Sequence, residues 1–318
     1  MDKIRTIFLG SDWESLETLK ALNEDSRFEI IAVITPPDKP VGRKQIMTPS
    51  KVKEYALENN IDVFHTEKQK ERYQEALDKY DPELVVCKAF GEIVPEFFLE
   101  YPKYKSINVH FSILPKYRGA IPIQKALLDG EKKTGISVML MSAGLDEGDV
   151  LEIFEEDILD TDTNLLLRER LVKKSADILG DVLIKWVEGK ITPVPQDDSL
   201  ATYCWQKEIS KENAEIDWNS MDMEYIERMV RAMQPWPIAW TMLNMNEDEK
   251  LQNKRLKIFK SEIEELDKED LGRLYSHNGN VYIQGKDGKS LRILELQLEG
   301  KNKTDYKQFL NGFLNGVR

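Results

Sequence analysis

The chain has 318 residues and a formal net charge of −12. That length predicts two domains, and that charge argues against indiscriminate binding of nucleic acid, DNA included, which relies on a broad positive field. No apolar run approaches a membrane span, so no membrane partner is expected; two isolated cysteines, Cys87 and Cys204, and only three histidines, with no close Cys/His spacing, predict a reducing compartment and no metal site.

The N-terminus enters a short apolar run directly, with no long hydrophobic region and no small-residue cleavage site, so a cytoplasmic protein is expected. "IRTIFLG" (4–10) predicts a buried strand ending in glycine, "SLETLKALNE" (15–24) an amphipathic helix and "FEIIAVIT" (28–35) a second strand. A proline-rich, basic loop reaches residue 49, and "SKVKEYALENN" (50–60) then opens on a serine suited to cap a helix. "LVVCKA" (84–89), "SINVHF" (106–111) and "GISVMLM" (135–141) predict further strands, with helical patterns between them. Such alternation predicts βαβ units and an α/β domain with a mostly parallel sheet, whose ligands sit beyond the carboxyl ends of the strands. "DTNLLLRERLVKKSADILGDVLIKWVEG" (162–189) reads as one long helix ending at glycine. Residues 190–204, rich in proline and aspartate, read as a linker between a first domain over 1–189 and a second over 205–318. "RLKIFKSEI", "NVYIQG" and "SLRILELQ", a hairpin turn at "GKDGK" (285–289) and a helix at "MEYIERMVRAM" (223–233) predict a small β-barrel there.

The chemistry concentrates in "INVHFSILPKYRGAIPIQKAL" (107–127). Side chains alternate along a strand, so Asn108 and His110 share one face while Ile107, Val109 and Phe111 share the other. In a sheet covered on both sides, two polar side chains on one face must be hydrogen-bonded or open onto a cavity. At the carboxyl end of a strand, a cavity is expected. The next strand leads into "SAGLDEGDVL" (142–151), where Gly144 and Gly148 flank a tight loop carrying Asp146. Neighbouring strands would bring that loop to the same rim. An amide, an imidazole and a carboxylate suit acyl transfer to an amine. Asn108 can donate to the oxyanion, a contact worth about 3 kcal/mol. His110, with an ordinary pKa of about 6.5, can act as general base, and Asp146 can orient the imidazole and relay protons. Taken singly, the same residues also look like a satisfied core histidine and a turn aspartate. A hydrolytic Ser112–His110–Asp146 triad is a second chemical reading, weakened because Ser112 lies on no G-x-S-x-G elbow.

Together these two segments resemble the catalytic region of the tetrahydrofolate-dependent formyltransferases. That pattern is an Asn-x-His on a strand, then S-L-L-P (here Ser112-Ile113-Leu114-Pro115), and an Asp in a later glycine-bounded loop. The resemblance implies a Rossmann-like formyltransferase domain followed by a small, OB-like C-terminal β-barrel. It implies transfer of the formyl group of 10-formyltetrahydrofolate, a co-substrate, to an amine, with Asn108, His110 and Asp146 at the catalytic positions and no metal. "CKAFGEIVP" (87–95) is similar to the segment whose backbone lines the pterin pocket. Folate contacts are accordingly expected from Phe90, Gly91, Glu92, Ile93, Ser112, Ile113, Leu114, Pro115 and Gly144. Phe90 and Glu92 stand where the family usually has Tyr and Gln, so a side-chain contact from residue 92 would become charged. "GSDWESLETL" (10–19) is shorter than the usual G-T-P-x-F-A-V-P-x-L and lacks its prolines.

The loop "TPPDKPVGRKQIMTPSKVK" (35–53) supplies the local positive charge that the whole chain lacks. Loops this long inside an α/β domain are usually functional or disordered. Basic side chains on one can hold phosphates and reach base edges; a solvated surface loop is the alternative on composition alone. The loop resembles the acceptor-stem segment of those family members that act on methionyl-tRNA, which implies tRNA contacts from Lys39, Arg43 and Lys44. "LATYCWQKEISKENAEIDW" (200–218) and the P-W-P at 235–237 are similar to the same branch. Lys250, Lys254, Arg255, Lys257 and Lys260, and then Lys301, Lys303 and Lys307, are candidate phosphate contacts. The expectation is a monomeric enzyme that formylates methionyl-initiator tRNA. The rival readings are formylation of a nucleotide-sugar amine, hydrolysis of the formyl-folate, and a non-catalytic RNA-binding protein.

Overall fold

The computed structural model describes residues 2–42, 44–243, 251–286 and 288–314. The elements begin with β1 (Ile4–Gly10), α1 (Trp13–Glu24), β2 (Phe28–Ile34), β3 (Lys39–Val41), β4 (Ile46–Thr48), α2 (Lys51–Glu58), β5 (Asp62–Phe64), α3 (Lys70–Tyr80) and β6 (Leu84–Lys88). They continue through α4 (Glu96–Glu100), β7 (Ser106–His110), β8 (Arg118–Gly119), α5 (Pro122–Asp129), β9 (Lys133–Leu140), β10 (Val150–Asp157), α6 (Asn164–Val187) and β11 (Tyr203–Cys204). By compactness the chain divides into two units. The first comprises Met1–Gly119, Thr134–Asp157 and Glu169–Tyr203; the second comprises Ala120–Lys133, Ile158–Arg168 and Cys204–Arg318. Residues 190–203 thus group with the first unit, and α5 with the second.

The first unit is built on a seven-stranded sheet in the order β10-β9-β7-β6-β1-β2-β5. β1 pairs in parallel with β2 and β6, β2 with β5, and β6 with β7. The central strands are near-continuous apolar runs because both faces are covered; Ile7, Phe8, Leu9, Val85 and Val86 are all fully buried. One face carries α3 and α4, whose Tyr73, Leu77, Phe98 and Leu99 pack with Leu9, Val85 and Cys87. β10 behaves differently: "VLEIFEED" alternates burial and exposure at the sheet edge, where charged side chains discourage further pairing.

Local chemistry sets the helix starts. Ser50 caps α2 through its Oγ, which accepts from Lys53 N at 3.1 Å. α1 begins earlier than its apolar spacing predicts because Asp12 caps it, accepting from Glu14 N and Ser15 N at 3.1 Å; such a cap contributes about 1 kcal/mol. A Cβ on Gly10 would lie 2.6 Å from Ser15 Cβ, so this helix start closes on the strand end only over a glycine.

Two findings differ from the sequence reading. The basic loop is a short hairpin, in which Lys39 pairs with Thr48 and Val41 with Ile46. β9 runs antiparallel to β7, with His110 opposite Ser137 and Ile107 opposite Leu140. The loop bearing Asp146 therefore leaves the sheet beside the start of β7, where Met141 N donates to Ser106 O at 2.8 Å.

In the second unit α7 (Met223–Ala232) precedes β12 (Trp240–Met242), β13 (Arg255–Glu265), β14 (Leu274–His277), β15 (Asn280–Gln284), β16 (Lys289–Leu298) and β17 (Thr304–Asp305). These strands form one antiparallel sheet, in the order β12-β13-β16-β15-β14 with β17 also on β16. α7 buries Met223, Ile226, Met229 and Val230, one face at helical spacing. Its Arg228 Nε donates to the Leu128 carbonyl of α5 at 2.9 Å. Among the described residues no helix is long and apolar enough to cross a membrane.

Candidate active site

β7 ends on Asn108, Val109 and His110. Strand alternation turns Asn108 and His110 to one side, and the Asp146 carboxylate meets them there. Asn108 Nδ2 donates to Asp146 Oδ1 at 3.3 Å. His110 Nδ1 lies 3.6 Å from Asp146 Oδ2. The backbone N–H of Gly119 donates to that same Oδ2 at 2.8 Å. The three groups chosen from sequence thus stand together, although β9 delivers Asp146 from the antiparallel direction.

The loop achieves this through Asp146 itself. Its φ is +52°, in the left-handed region where a non-glycine residue is uncommon, although aspartate is among the more tolerant. The flanking glycines, expected as hinges, serve space instead. A Cβ on Gly148 would come within 2.0 Å of the Leu140 carbonyl oxygen. Gln196 fixes the loop from residues read in sequence as a linker, its Nε2 donating to Asp146 O at 2.9 Å and to Gly148 O at 2.7 Å. Gln196 Oε1 in turn accepts from Arg118 Nε and Nη2 at 3.0 and 2.9 Å, and Arg118 is 1% exposed. No sequence signal marked Gln196. Arg118, in a basic-aromatic cluster beside a glycine, was visible but unassigned.

His110 is buried, and its Nε2 lies 2.9 Å from the Tyr117 carbonyl oxygen. Burial pushes the imidazole below its ordinary 6.5. The Asp146 carboxylate and the Tyr117 carbonyl oppose that fall, and the Lys88 ammonium adds to it. Cys87, buried behind the site, is pushed up by burial to about 12 and stays a thiol. Asp12, at the start of α1, is also held above the usual carboxylate range, by burial and by Glu14.

The remaining sequence candidates are placed as follows. Phe90 packs into the core cluster that also holds Tyr73 and Phe98. Ala89 and Gly91 both have left-handed backbones (φ +45° and +80°), and a Cβ on Gly91 would meet nothing within 4 Å. Glu92 turns towards Thr66, whose hydroxyl donates to it at 2.7 Å. Ile93 is 92% exposed. The Ser112 hydroxyl donates to Lys116 O at 2.6 Å, so it is held in the turn and makes no bond to His110. Ile113 and Pro115 are half-buried, and Leu114 packs with Met139 and Val150. Gly144 is half-buried in the Asp146 loop. Lys39 and Lys44 are exposed on the hairpin; Arg43 and Lys250 lie outside the described residues. Among the described residues, no three His, Cys, Asp or Glu side chains are grouped to hold a metal ion.

A mostly parallel α/β sheet with an amide, a neutral imidazole and a carboxylate gathered at one strand end belongs to an enzyme of the acyl-transfer class. Comparison with known proteins narrows this. The formyl transferase family model matches residues 4–183, and the model of the formyl transferase C-terminal domain matches residues 208–314. A methionyl-tRNA formyltransferase of Halalkalibacterium halodurans is 38% identical over 97% of this chain and 95% of its own. One of Caldicellulosiruptor saccharolyticus is 39% identical over 96% of each. The chain belongs to the formyl transferase family. Solved structures share the fold: an N-formyltransferase of Helicobacter canadensis, in complex with folinic acid and dTDP-3-aminofucose, has a TM-score of 0.67 at 20% identity over 91% of this chain and 98% of its own. HypX of Aquifex aeolicus, in complex with tetrahydrofolic acid, has a TM-score of 0.63 at 17% identity over 99% of this chain, which spans 48% of that longer one.

Proposed function

We propose that this protein transfers the formyl group of 10-formyltetrahydrofolate to the α-amine of methionyl-initiator tRNA, in the cytoplasm and as a monomer. The observation that carries the reading is the convergence of Asn108, His110 and Asp146 within 3.3 and 3.6 Å contacts at the end of β7. The relatives that are 37–39% identical over nearly the whole chain bear the name methionyl-tRNA formyltransferase, which supports this acceptor.

In this mechanism the free amine of the aminoacyl ester attacks the formyl carbon directly. Asn108 Nδ2 donates to the oxyanion that forms, a contact stronger in the transition state than before it. Tyr117 O holds the proton of His110 on Nε2, so Nδ1 takes the proton that the amine loses. Asp146 stabilises the resulting imidazolium across the pair. The proton is returned as the folate nitrogen leaves, so the products are a formamide and tetrahydrofolate. Folate is held as co-substrate by the turn over 89–93, where two left-handed residues and open space at Gly91 suit a flat ring, and by 112–115 and Gly144. The first domain, 1–189, is assigned catalysis and 205–318 tRNA binding, with 190–204 linking them. Lys39, Arg43 and Lys44 contact the acceptor stem.

The experiment supplies purified protein with labelled 10-formyltetrahydrofolate and charged initiator tRNA. Formylmethionyl ester that appears only with charged tRNA is the expected result. Release of formate at the same rate without tRNA would overturn it. Replacing Lys39, Arg43 and Lys44 with alanine is expected to raise KM for tRNA while leaving that for folate; equal KM for tRNA would remove the hairpin from the reading.

A further inference from the structure

Lys88 is a charged residue that the transfer chemistry leaves without a role. It ends β6, an otherwise apolar strand, and its side chain is 5% exposed. Its Nζ donates to the Val109 carbonyl at 2.9 Å and lies 3.0 Å from the centre of the Phe111 ring. Glu14 Oε2, itself buried, stands 4.0 Å away. The Lys88 carbonyl accepts from Ser15 Oγ at 2.6 Å, and that hydroxyl also meets Asp12 Oδ1 at 3.1 Å. One ammonium therefore joins the ends of β6 and β7 to the start of α1. Val109, the residue it grips, sits between Asn108 and His110. Burying an ammonium is costly unless its surroundings stabilise the charge, and here those surroundings are the carbonyl, the aromatic face and Glu14.

We propose that Lys88 is a positioning residue for His110: it holds the end of β7 through the Val109 carbonyl, and its ammonium at that strand end opposes a second positive charge on the imidazole. Glu14 and Asp12 set how much of that charge reaches His110. The proposal rests on His110 being the base of the proposed reaction. Two groups touch the imidazole: Asp146 Oδ2 from the loop and the Tyr117 carbonyl from the turn after β7. Lys88 acts from β6 on the Phe111 side of β7, through its charge and through the Val109 carbonyl, with Glu14 beside it and Asp12 beyond at the start of α1, while Cys87, a buried thiol, lies opposite Asn108. Asp146 favours the imidazolium and Lys88 opposes it. Removing the Lys88 charge leaves the carboxylates unopposed, so His110 should hold a proton to higher pH. Removing the Glu14 charge strengthens Lys88 and should do the reverse.

The test is titration of the His110 ring by NMR in the full-length chain, assigned among three histidines by comparison with H110Q. Wild type is set against K88M, E14Q and the double variant E14Q/K88M. K88M is expected to raise the His110 pKa by roughly half a unit to one unit, and to move the acid limb of kcat/KM the same way. E14Q is expected to lower it, with the double variant falling between the two single ones. Should K88M not fold, E14Q and the double variant, which leaves no lone buried charge, carry the same test. Identical titration of His110 in the folded variants would overturn the proposal. Full turnover in H110Q would instead overturn the base assignment and leave the titration result standing.

Discussion

The Nε2 of His110 and the backbone carbonyl of Tyr117 are 2.9 Å apart, and the carbonyl can only accept. That one contact fixes the tautomer and leaves Nδ1, which faces Asp146, as the nitrogen that exchanges protons with a substrate. H110Q separates the structural part of this role from the chemical part, because an amide can still donate to Tyr117 O but cannot serve as a base. Turnover is expected to fall at least about a hundredfold, with a melting temperature close to wild type. D146N should lose as much turnover, and because its NH2 must face one of the two donors on the carboxylate, Asn108 Nδ2 or Gly119 N–H, it should also melt lower, by about 1–3 kcal/mol of stability. Steady-state formyl transfer and a thermal melt measure both quantities, and turnover within a few-fold of wild type in either variant removes that residue from the mechanism.

The depressed pKa of His110 gives the pH dependence a sign. Its imidazole is neutral in the folded protein below the ordinary 6.5 of the unfolded chain. Activity should therefore be flat through neutral pH and decline only on the acid side, below 6.5. Stability follows the same direction. Between the folded and unfolded pKa the unfolded chain binds the extra proton, so stability rises with pH across that window. It should be fully present above 6.5 and be lost as pH falls towards the folded value. H110Q should flatten that part of the curve, and denaturant melts from pH 4 to 8 would show whether it does (about one protonation's worth of slope).

Gln196 reaches the catalytic loop from residues that carry no catalytic side chain. Its amide bonds the carbonyls of Asp146 and Gly148 and is held in turn by buried Arg118. Q196A removes both loop contacts without touching Asn108, His110 or the acid. We expect kcat to fall about tenfold, since loosening of around 1 Å at a reacting centre is costly, with KM for folate little changed and about 1–3 kcal/mol lost in stability, because buried Arg118 loses the acceptor of its Nε and Nη2. Unchanged kcat would mean that Gly119 and the backbone of Asp146 suffice to hold the carboxylate.

The apolar runs of β1, β2, β6, β7 and β9 were legible because a doubly covered sheet requires them, and the Asn108/His110 pairing because strand alternation is strict. β10 was not, since an edge strand reading "VLEIFEED" carries four acids in eight residues and ends like a polar loop. The antiparallel sense of β9 was hidden too: an apolar run shows that a strand is buried and says nothing of its direction. Two glycines, Gly144 and Gly148, frame the Asp146 loop in the sequence, yet the left-handed residue is Asp146. Lys88 stands inside the apolar strand "LVVCKA" and drew no reading there. Its partners Glu14 and Val109 are distant in sequence, so only the fold could explain it.

The two glycines around Asp146 now make different demands. At Gly148 an added Cβ would lie 2.0 Å from the Leu140 carbonyl oxygen, which is backbone held by the β9 ladder and by its own place beside Asp149. The loop would have to move, and Asp146 with it. At Gly144 the nearest atoms belong to the Glu147 carboxylate, the far end of an exposed, flexible side chain that can swing away. G148A is expected to lose about 1–3 kcal/mol of stability by overpacking and at least tenfold in kcat, because the strain falls on the residue that faces His110. G144A should melt like wild type, and any change in its kinetics should appear in KM for the folate. Parallel melts and steady-state assays of the two variants decide the matter: equal losses would mean that the loop, and not the Leu140 carbonyl, sets the need for glycine.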